Sequence, residues 1–164
     1  MVTITNLVYS AATHFTPQLL THRVFTTLAL THLPDCQAAR GRGKKGQYAI
    51  SKEWVERQLQ KRGAYGEKER LIKGFYNESL TPELQKELSK YKARVILIDS
   101  DLYESAKQAL DFMKPMIQRG TVIVFDDWAS EGERQAFAEF QSNFSLLFED
   151  FPIASEKKKA FVAL

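Results

Sequence analysis

The sequence predicts an α/β fold built on a doubly wound, mostly parallel sheet. Two continuously apolar runs, at 95–98 and 121–125, are typical of strands buried on both faces. A segment with apolar residues at helical spacing lies between them, and helical patterns also precede and follow the pair. Strands that alternate with helices favour this class, and 164 residues fit one domain of ordinary size.

The local signals before residue 95 are mutually consistent. Ser51 is suited to cap a helix over 52–62, and a short strand is expected at 70–73. The triplet Thr81-Pro82-Glu83 is a helix start, since it supplies an N-cap residue, a proline at the first position and an acid in the first turn. That helix is expected to run to about Lys90.

After the strand at 95–98, a helix is predicted to open at Asp101 or Leu102 and to end at Gly120, with a kink at Pro115. Its apolar stripe consists of Ala106, Leu110, Met113 and Ile117. A further helix is predicted over 131–143, with Phe137 and Phe140 facing inward. The last strands, 145–148 and 160–164, are expected to pair antiparallel at the edge of a Rossmann-like sheet.

Residues 1–45 form an atypical N-terminal segment, distinct from the domain predicted over 46–164. Its apolar residues have no clear period, and no cap-and-stop pair for a helix is visible. Only 23–30 indicates a strand. Its three histidines, His14, His22 and His32, are poor candidates for ligands because they lie in this atypical segment.

Bulk properties narrow the function. A net charge of +3 with both signs mixed along the chain argues against a nucleic-acid partner. No apolar run approaches the roughly 20 residues that cross a bilayer, so no membrane association is expected. The single cysteine, Cys36, allows no internal disulfide, and the N-terminus lacks a signal-peptide pattern. These features predict a cytoplasmic protein.

Acids follow both apolar strands. Asp99 and Asp101 end the first run, and Asp126 and Asp127 end the second. If the two runs are neighbouring parallel strands, these carboxylates meet at one edge of the sheet, where ligands bind in open α/β sheets. Carboxylates that crowd together repel one another unless a cation or a proton lies between them, and their oxygens suit Mg²⁺ or Ca²⁺. Asp101 has an alternative role as a helix cap.

The chain resembles the macrocin-type (TylF-like) O-methyltransferases, enzymes that use S-adenosylmethionine, over about 33–164. The unit Asp-x-Asp-Leu-Tyr-x-Ser, followed at this spacing by Asp-Asp-Trp, carries most of the likeness. The matching segments are Gly46-Gln47-Tyr48-Ala49, Leu71-Ile72-Lys73-Gly74-Phe75, Ser79-Leu80-Thr81, Ile98-Asp99-Ser100-Asp101-Leu102-Tyr103-Glu104-Ser105, Gly120 through Trp128 and Arg134-Gln135-Ala136-Phe137.

The resemblance implies a site and a reaction. Asp99, Asp126 and Asp127 match the three acids that hold Mg²⁺ in that family, where the metal is thought to bind neighbouring sugar hydroxyls. Asp99 could also accept the hydroxyl proton. Tyr103 either lines the pocket of S-adenosylmethionine or of the acceptor, or packs against the helix. The implied acceptor is a small sugar-containing molecule. Trp128 is interpreted as a half-buried wall residue or as a surface on which a ligand stacks.

Two family motifs are missing. The Gly-rich turn that cradles the cofactor is not visible, since the first glycine is Gly41, and the acid expected to bind its ribose is absent. Residues 29–33 read Ala-Leu-Thr-His-Leu, which codons for the family's Gly-Phe-Asp-Ser-Phe-Glu can give when shifted by one base. We therefore interpret part of 1–33 as out-of-frame or degenerate. The sheet is then incomplete at its N-terminal side, cofactor affinity is expected to be poor, and self-association could cover exposed strand edges.

Three other functions remain open at this stage, of which a metal-dependent glycosyltransferase with an Asp-x-Asp motif is the weakest. An Asp-x-Asp after a strand with a later Asp-Asp also describes Mg²⁺-dependent phosphoryl transfer, with Asp99 and Asp101 as the reacting pair. The chain could also be a non-catalytic remnant of a methyltransferase.

Overall fold

A computed structural model describes residues 2–5, 25–29, 52–61, 69–100, 102–129, 131–153 and 155–164. The strands in these ranges are β1 Val2–Thr5, β2 Phe25–Ala29, β3 Glu69–Lys73, β4 Val95–Ile98, β5 Val122–Phe125, β6 Phe148–Phe151 and β7 Lys159–Ala163. The helices are α1 Lys52–Lys61, α2 Tyr76–Ser79, α3 Pro82–Leu88, α4 Tyr103–Met113 and α5 Glu131–Ser142, and a 3₁₀ turn, Lys114–Met116, follows α4.

The described strands form one seven-stranded sheet in the order β3-β2-β1-β4-β5-β7-β6. The α/β class and the antiparallel C-terminal edge are confirmed. The sheet is mixed rather than mostly parallel, because β1 lies between β2 and β4 and runs antiparallel to both. The pairs β2–β3 and β4–β5 are parallel. The strand β1 was not predicted, since four residues carry too little periodic signal.

Parallel pairing of β4 with β5 continues beyond the strands at both ends. The register places Ile98 opposite Phe125, and the N–H of Asp126 then donates to the carbonyl of Ile98 at 2.9 Å. At the other end, the N–H of Val122 donates to the carbonyl of Arg94 at 2.8 Å. Asp99 and Asp126 are therefore held level with each other, at the first positions after their strands.

Most local signals in the sequence correspond to the observed elements. Thr81 caps α3, as its hydroxyl oxygen accepts from the N–H of Leu84 at 3.2 Å and Pro82 occupies the first turn. The helix predicted to run to Gly120 with a kink at Pro115 instead ends at Met113, and a 3₁₀ turn containing Pro115 follows it. Gly120 then adopts a φ of 83°, which is unfavourable for a residue with a Cβ atom, and β5 follows. The proposed cap Ser51 lies outside the described residues.

One strand at the C-terminal edge is displaced from its prediction. The sequence favoured 145–148, whereas β6 is Phe148–Phe151. Pairing decides this position, because β6 aligns with Ala160 to Ala163 of β7, and the carbonyl of Leu147 accepts from the N–H of Leu164 at 2.9 Å. The prediction from apolar composition alone therefore began three residues too early, at 145 instead of Phe148.

The core lies between the sheet and the packed helices α4 and α5. Ala106, Leu110 and Met113 of α4 are buried as predicted, and Ile117 is buried beyond the end of the helix. Phe137 and Phe140 of α5 point inward as expected. Phe137 is central to an aromatic cluster, with ring centroids 4.9 Å from Phe125 and 4.4 Å from Phe161. None of the helices in the described ranges is long and apolar enough to cross a membrane.

Thr121 connects the beginnings of β4 and β5. It is fully buried; its hydroxyl donates to the carbonyl of Ala93 at 2.7 Å and accepts from the N–H of Gln118 at 3.0 Å. Thr121→Val keeps the shape but leaves both partners unsatisfied, so we expect the free energy of unfolding to fall by about 1–3 kcal/mol in urea denaturation. Thr121→Ser is the control, since it keeps the hydroxyl. Equal stability of the Val variant and the wild type would contradict this role.

Candidate active site

Three of the predicted acids converge at one edge of the sheet. One carboxylate oxygen from each of Asp99, Asp126 and Asp127 lies within 4.8 Å of the other two, and all three side chains are half-buried. Asp99 follows β4 and Asp126 follows β5, so the parallel register described above produces this convergence. Asp101, which completed the predicted set of four, lies outside the described residues.

A fourth carboxylate lies behind the acid cluster. Glu133, in the first turn of α5, has no exposed surface. Its Oε1 accepts from the N–H of Ser100 at 3.1 Å, and its Oε2 accepts from the N–H of Asp127 at 3.2 Å. The hydroxyl of Ser100 lies 3.4 Å from Oε1. One buried side chain therefore connects the chain segments that follow β4 and β5.

The surroundings of Glu133 change its pKa. Burial, which penalises the charged form, raises the pKa of Glu133 to about 7. The two backbone hydrogen bonds act in the opposite direction, while the negative charges of Asp127 and Asp99 add to the increase. Glu133 was not among the site residues predicted from the sequence. Its spacing from Phe137 and Phe140, four and seven positions, places it on the inward face of α5 and is the signal that could have revealed it.

A lysine approaches the cluster from the solvent side. The ammonium group of Lys158, in the segment before β7, donates to Oδ1 of Asp126 and has a side chain that is 44% exposed. This hydrogen bond raises the pKa of Lys158, and the charges of Asp126, Asp99 and Asp127 act in the same direction. Lys158 therefore supplies positive charge beside the acid cluster.

Tyr76 lies on the inner side of the site. It is 1% exposed, and its hydroxyl finds no hydrogen-bond partner in the part of the chain that the structure describes. Burial raises its pKa well above the usual range, and the charges of Asp99 and Glu133 contribute to that increase. Gly74 makes the turn from β3 to Tyr76 with a φ of 140°, where a Cβ atom would also lie 3.2 Å from that of Ser79.

The aromatic candidates have protein partners. The hydroxyl of Tyr103 donates to Oε2 of Glu139 on α5 at 2.7 Å, which raises the pKa of Tyr103 to about 12. Trp128 packs against Phe125 and Phe161, with ring centroids 5.2 and 5.1 Å away. Trp128 thus lies in the wall of aromatic side chains that supports the turn carrying Asp126 and Asp127.

The family model described as macrocin-O-methyltransferase (TylF) matches residues 16–150, and the chain belongs to this family. The match begins inside the N-terminal segment, 17 residues earlier than the likeness recognised from motifs at residue 33.

Individual relatives agree with the family. A Streptomyces olivaceus protein, 8-demethyl-8-(2,3-dimethoxy-alpha-L-rhamnosyl)-tetracenomycin-C 4'-O-methyltransferase, is 26% identical over 101 residues, which are 62% of this chain and 37% of that protein. Among solved structures, the O-methyltransferase NovP is similar with a TM-score of 0.61 and 22% identity, over 72% of this chain and 47% of NovP. The calicheamicin methyltransferase CalS11 gives 0.60 and 18%, over 80% of this chain and 56% of CalS11.

These structural similarities establish the methyltransferase-type fold. The chain spans between about a third and just over half of the length of these relatives.

Lys158 provides a test of the charge balance at the acid cluster. We expect Lys158→Gln to tighten the binding of Mg²⁺ about fivefold, because a competing positive charge is removed from Asp126. Isothermal titration calorimetry measures the effect, and Lys157→Gln, which removes an exposed neighbouring charge, is the control. Unchanged or weaker binding would show that Lys158 does not compete with the cation.

Proposed function

We propose that this chain carries the metal and acceptor part of an O-methyltransferase site, in which a methyl group passes from S-adenosylmethionine to a hydroxyl of a sugar-containing small molecule. The convergence of Asp99, Asp126 and Asp127 is the observation that carries the proposal. Membership of the macrocin-O-methyltransferase family supports methyl transfer rather than phosphoryl transfer. The rhamnosyl group named for the Streptomyces relative supports a sugar as the acceptor class.

The three acids fit a divalent cation chemically. Carboxylate oxygens are the donors that Mg²⁺ prefers, and three of them leave coordination positions for other oxygen ligands. When bound, the cation would lower the pKa of an acceptor hydroxyl and orient it. The half-buried position of the acids supports this role, because it leaves them accessible while excluding part of the solvent.

The three aspartates do not all have the same role in this proposal. Asp126 and Asp127 hold the cation with Asp99, and Asp99 also takes the proton of the acceptor hydroxyl. The oxygen forms a bond to the methyl carbon while the bond from that carbon to the donor sulfur breaks, so the sulfur keeps the electron pair. Alignment of these atoms supplies much of the rate.

The binding of the methyl donor is a separate question. The sequence has no Gly-rich turn of the expected kind, and Tyr103, the one candidate for the cofactor pocket, donates its hydroxyl to Glu139. We therefore propose that this chain binds S-adenosylmethionine weakly, while the metal site remains competent. The proposed setting is the cytoplasm, with which the single cysteine is compatible.

The metal site can be tested without the donor. We expect Mg²⁺ to bind the wild-type protein and Asp99→Asn or Asp127→Asn to abolish measurable binding, because each replaces a charged ligand by a neutral one. Calorimetric titration measures this, and Asp111→Asn is the matched control, since Asp111 is exposed on α4 and pairs with Lys107 at 3.7 Å. A wild-type protein that binds no Mg²⁺ at millimolar concentration would overturn the proposed metal site.

A binding titration and a phosphate-release assay distinguish the remaining functions. Heat of binding with S-adenosylmethionine supports methyl transfer, whereas Mg²⁺-dependent release of phosphate from a generic ester would support phosphoryl transfer instead. Binding of neither Mg²⁺ nor S-adenosylmethionine would favour a non-catalytic remnant.

A further inference from the structure

Glu133 forms a bridge beneath the acid cluster that the family match does not explain. Its two carboxylate oxygens are divided between two chain segments: Oε1 accepts from the amide of Ser100, next to Asp99, and Oε2 accepts from the amide of Asp127 itself. Both oxygens are therefore engaged by backbone donors, and the carboxylates that lie close enough to share a cation are those of Asp99, Asp126 and Asp127. Glu133 acts on the backbone that carries these ligands.

Burying the carboxylate of Glu133 lowers the stability of the fold. A carboxylate without exposed surface loses its hydration, and two backbone hydrogen bonds compensate for only part of that loss. An apolar residue at the same position of α5 would extend the row that includes Phe137 and Phe140. Such a residue would leave the amides of Ser100 and Asp127 without this partner, and the segments after β4 and β5 would lose the connection between them.

We propose that Glu133 is a positioning residue, which fixes the separation of Asp99 and Asp127 by holding the amides of Ser100 and Asp127 with a single buried carboxylate. This inference rests on the proposed metal site. Partners that orient metal ligands from behind commonly change metal affinity by about 10–100-fold when they are removed. Here the orientation is transmitted through the main chain, since Glu133 bonds to amides rather than to the aspartate side chains.

A comparison of Mg²⁺ with Ca²⁺ distinguishes the two ways in which Glu133 could affect binding, through the position of the ligands or through its own charge. Mg²⁺ demands near-ideal octahedral geometry, whereas Ca²⁺ accepts a variable number of oxygens in flexible arrangements. Loss of a nearby negative charge weakens both cations to a similar extent. Loss of the correct ligand spacing should weaken Mg²⁺ more than Ca²⁺, so the ratio of the two affinities reports on position.

Two variants and one control make the experiment. Glu133→Gln keeps the length of the side chain. Its NH₂ group would face one of the two backbone N–H groups, so that hydrogen bond is lost. Glu133→Asp keeps the carboxylate but is one methylene shorter and cannot reach both amides, so it separates reach from charge. Glu131→Gln removes an exposed carboxylate from the same turn of α5 and serves as the control. Affinities for Mg²⁺ and Ca²⁺ are measured by calorimetry, at a temperature where circular dichroism shows each variant folded.

The expected result is a Mg²⁺ affinity that falls about 10–100-fold in both Glu133 variants, with a clearly smaller loss for Ca²⁺ and no change for Glu131→Gln. Affinities that match the wild type, or that fall equally for both cations, would overturn the positioning role while leaving the metal site intact. If Glu133→Gln does not fold, the Glu133→Asp result decides by the same criterion. A wild-type protein that binds neither cation would overturn the proposed metal site together with this inference.

Discussion

The parallel register between β4 and β5 is the constraint on which the site depends. It places Ile98 opposite Phe125, and the hydrogen bond from the amide of Asp126 to Ile98 extends the pairing to the acids. A shift of one residue would turn alternate side chains to the opposite face of the sheet and separate the carboxylates. The acid cluster is therefore a consequence of the central strand pair rather than of the turns alone.

Two features limit the negative charge of the site. Lys158 contributes a positive charge from the solvent side, and Glu133 withdraws a fourth carboxyl group into a buried position where its pKa rises to about 7. The half-buried cluster between them still contains three acids within 4.8 Å of one another. Like charges at this separation favour a cation, which is the chemistry that the proposed metal site requires.

Much of this arrangement could be predicted from the sequence, because its signals are local. The buried apolar runs, the Thr81-Pro82 helix start and the stripe of α4 each specify their own element, and the acids simply follow the strands. What the sequence could not provide depends on partners distant in the chain. The strand β1 is defined by pairing with β2 and β4, β6 by pairing with β7, and the contact of Lys158 with Asp126 by the return of the final strand.

The role of Glu133 could not be predicted from its residue type. A glutamate in the first turn of a helix is usually a solvated group that complements the helix dipole, so its residue type gives no sign that Glu133 is buried. Its inward position follows from helical spacing, but its hydrogen bonds depend on two segments that meet only when β4 and β5 pair. Residues that support a site from behind are found from the folded structure.

The central claim is that Asp99, Asp126 and Asp127 bind one divalent cation between them. The most direct measurement is a crystal structure of the protein with Mn²⁺ in place of Mg²⁺, with anomalous diffraction used to locate the metal. The account predicts one anomalous peak about 2.1 Å from an oxygen of each of the three carboxylates. A peak elsewhere on the protein, or crystals in which these side chains face apart and bind no metal, would contradict it.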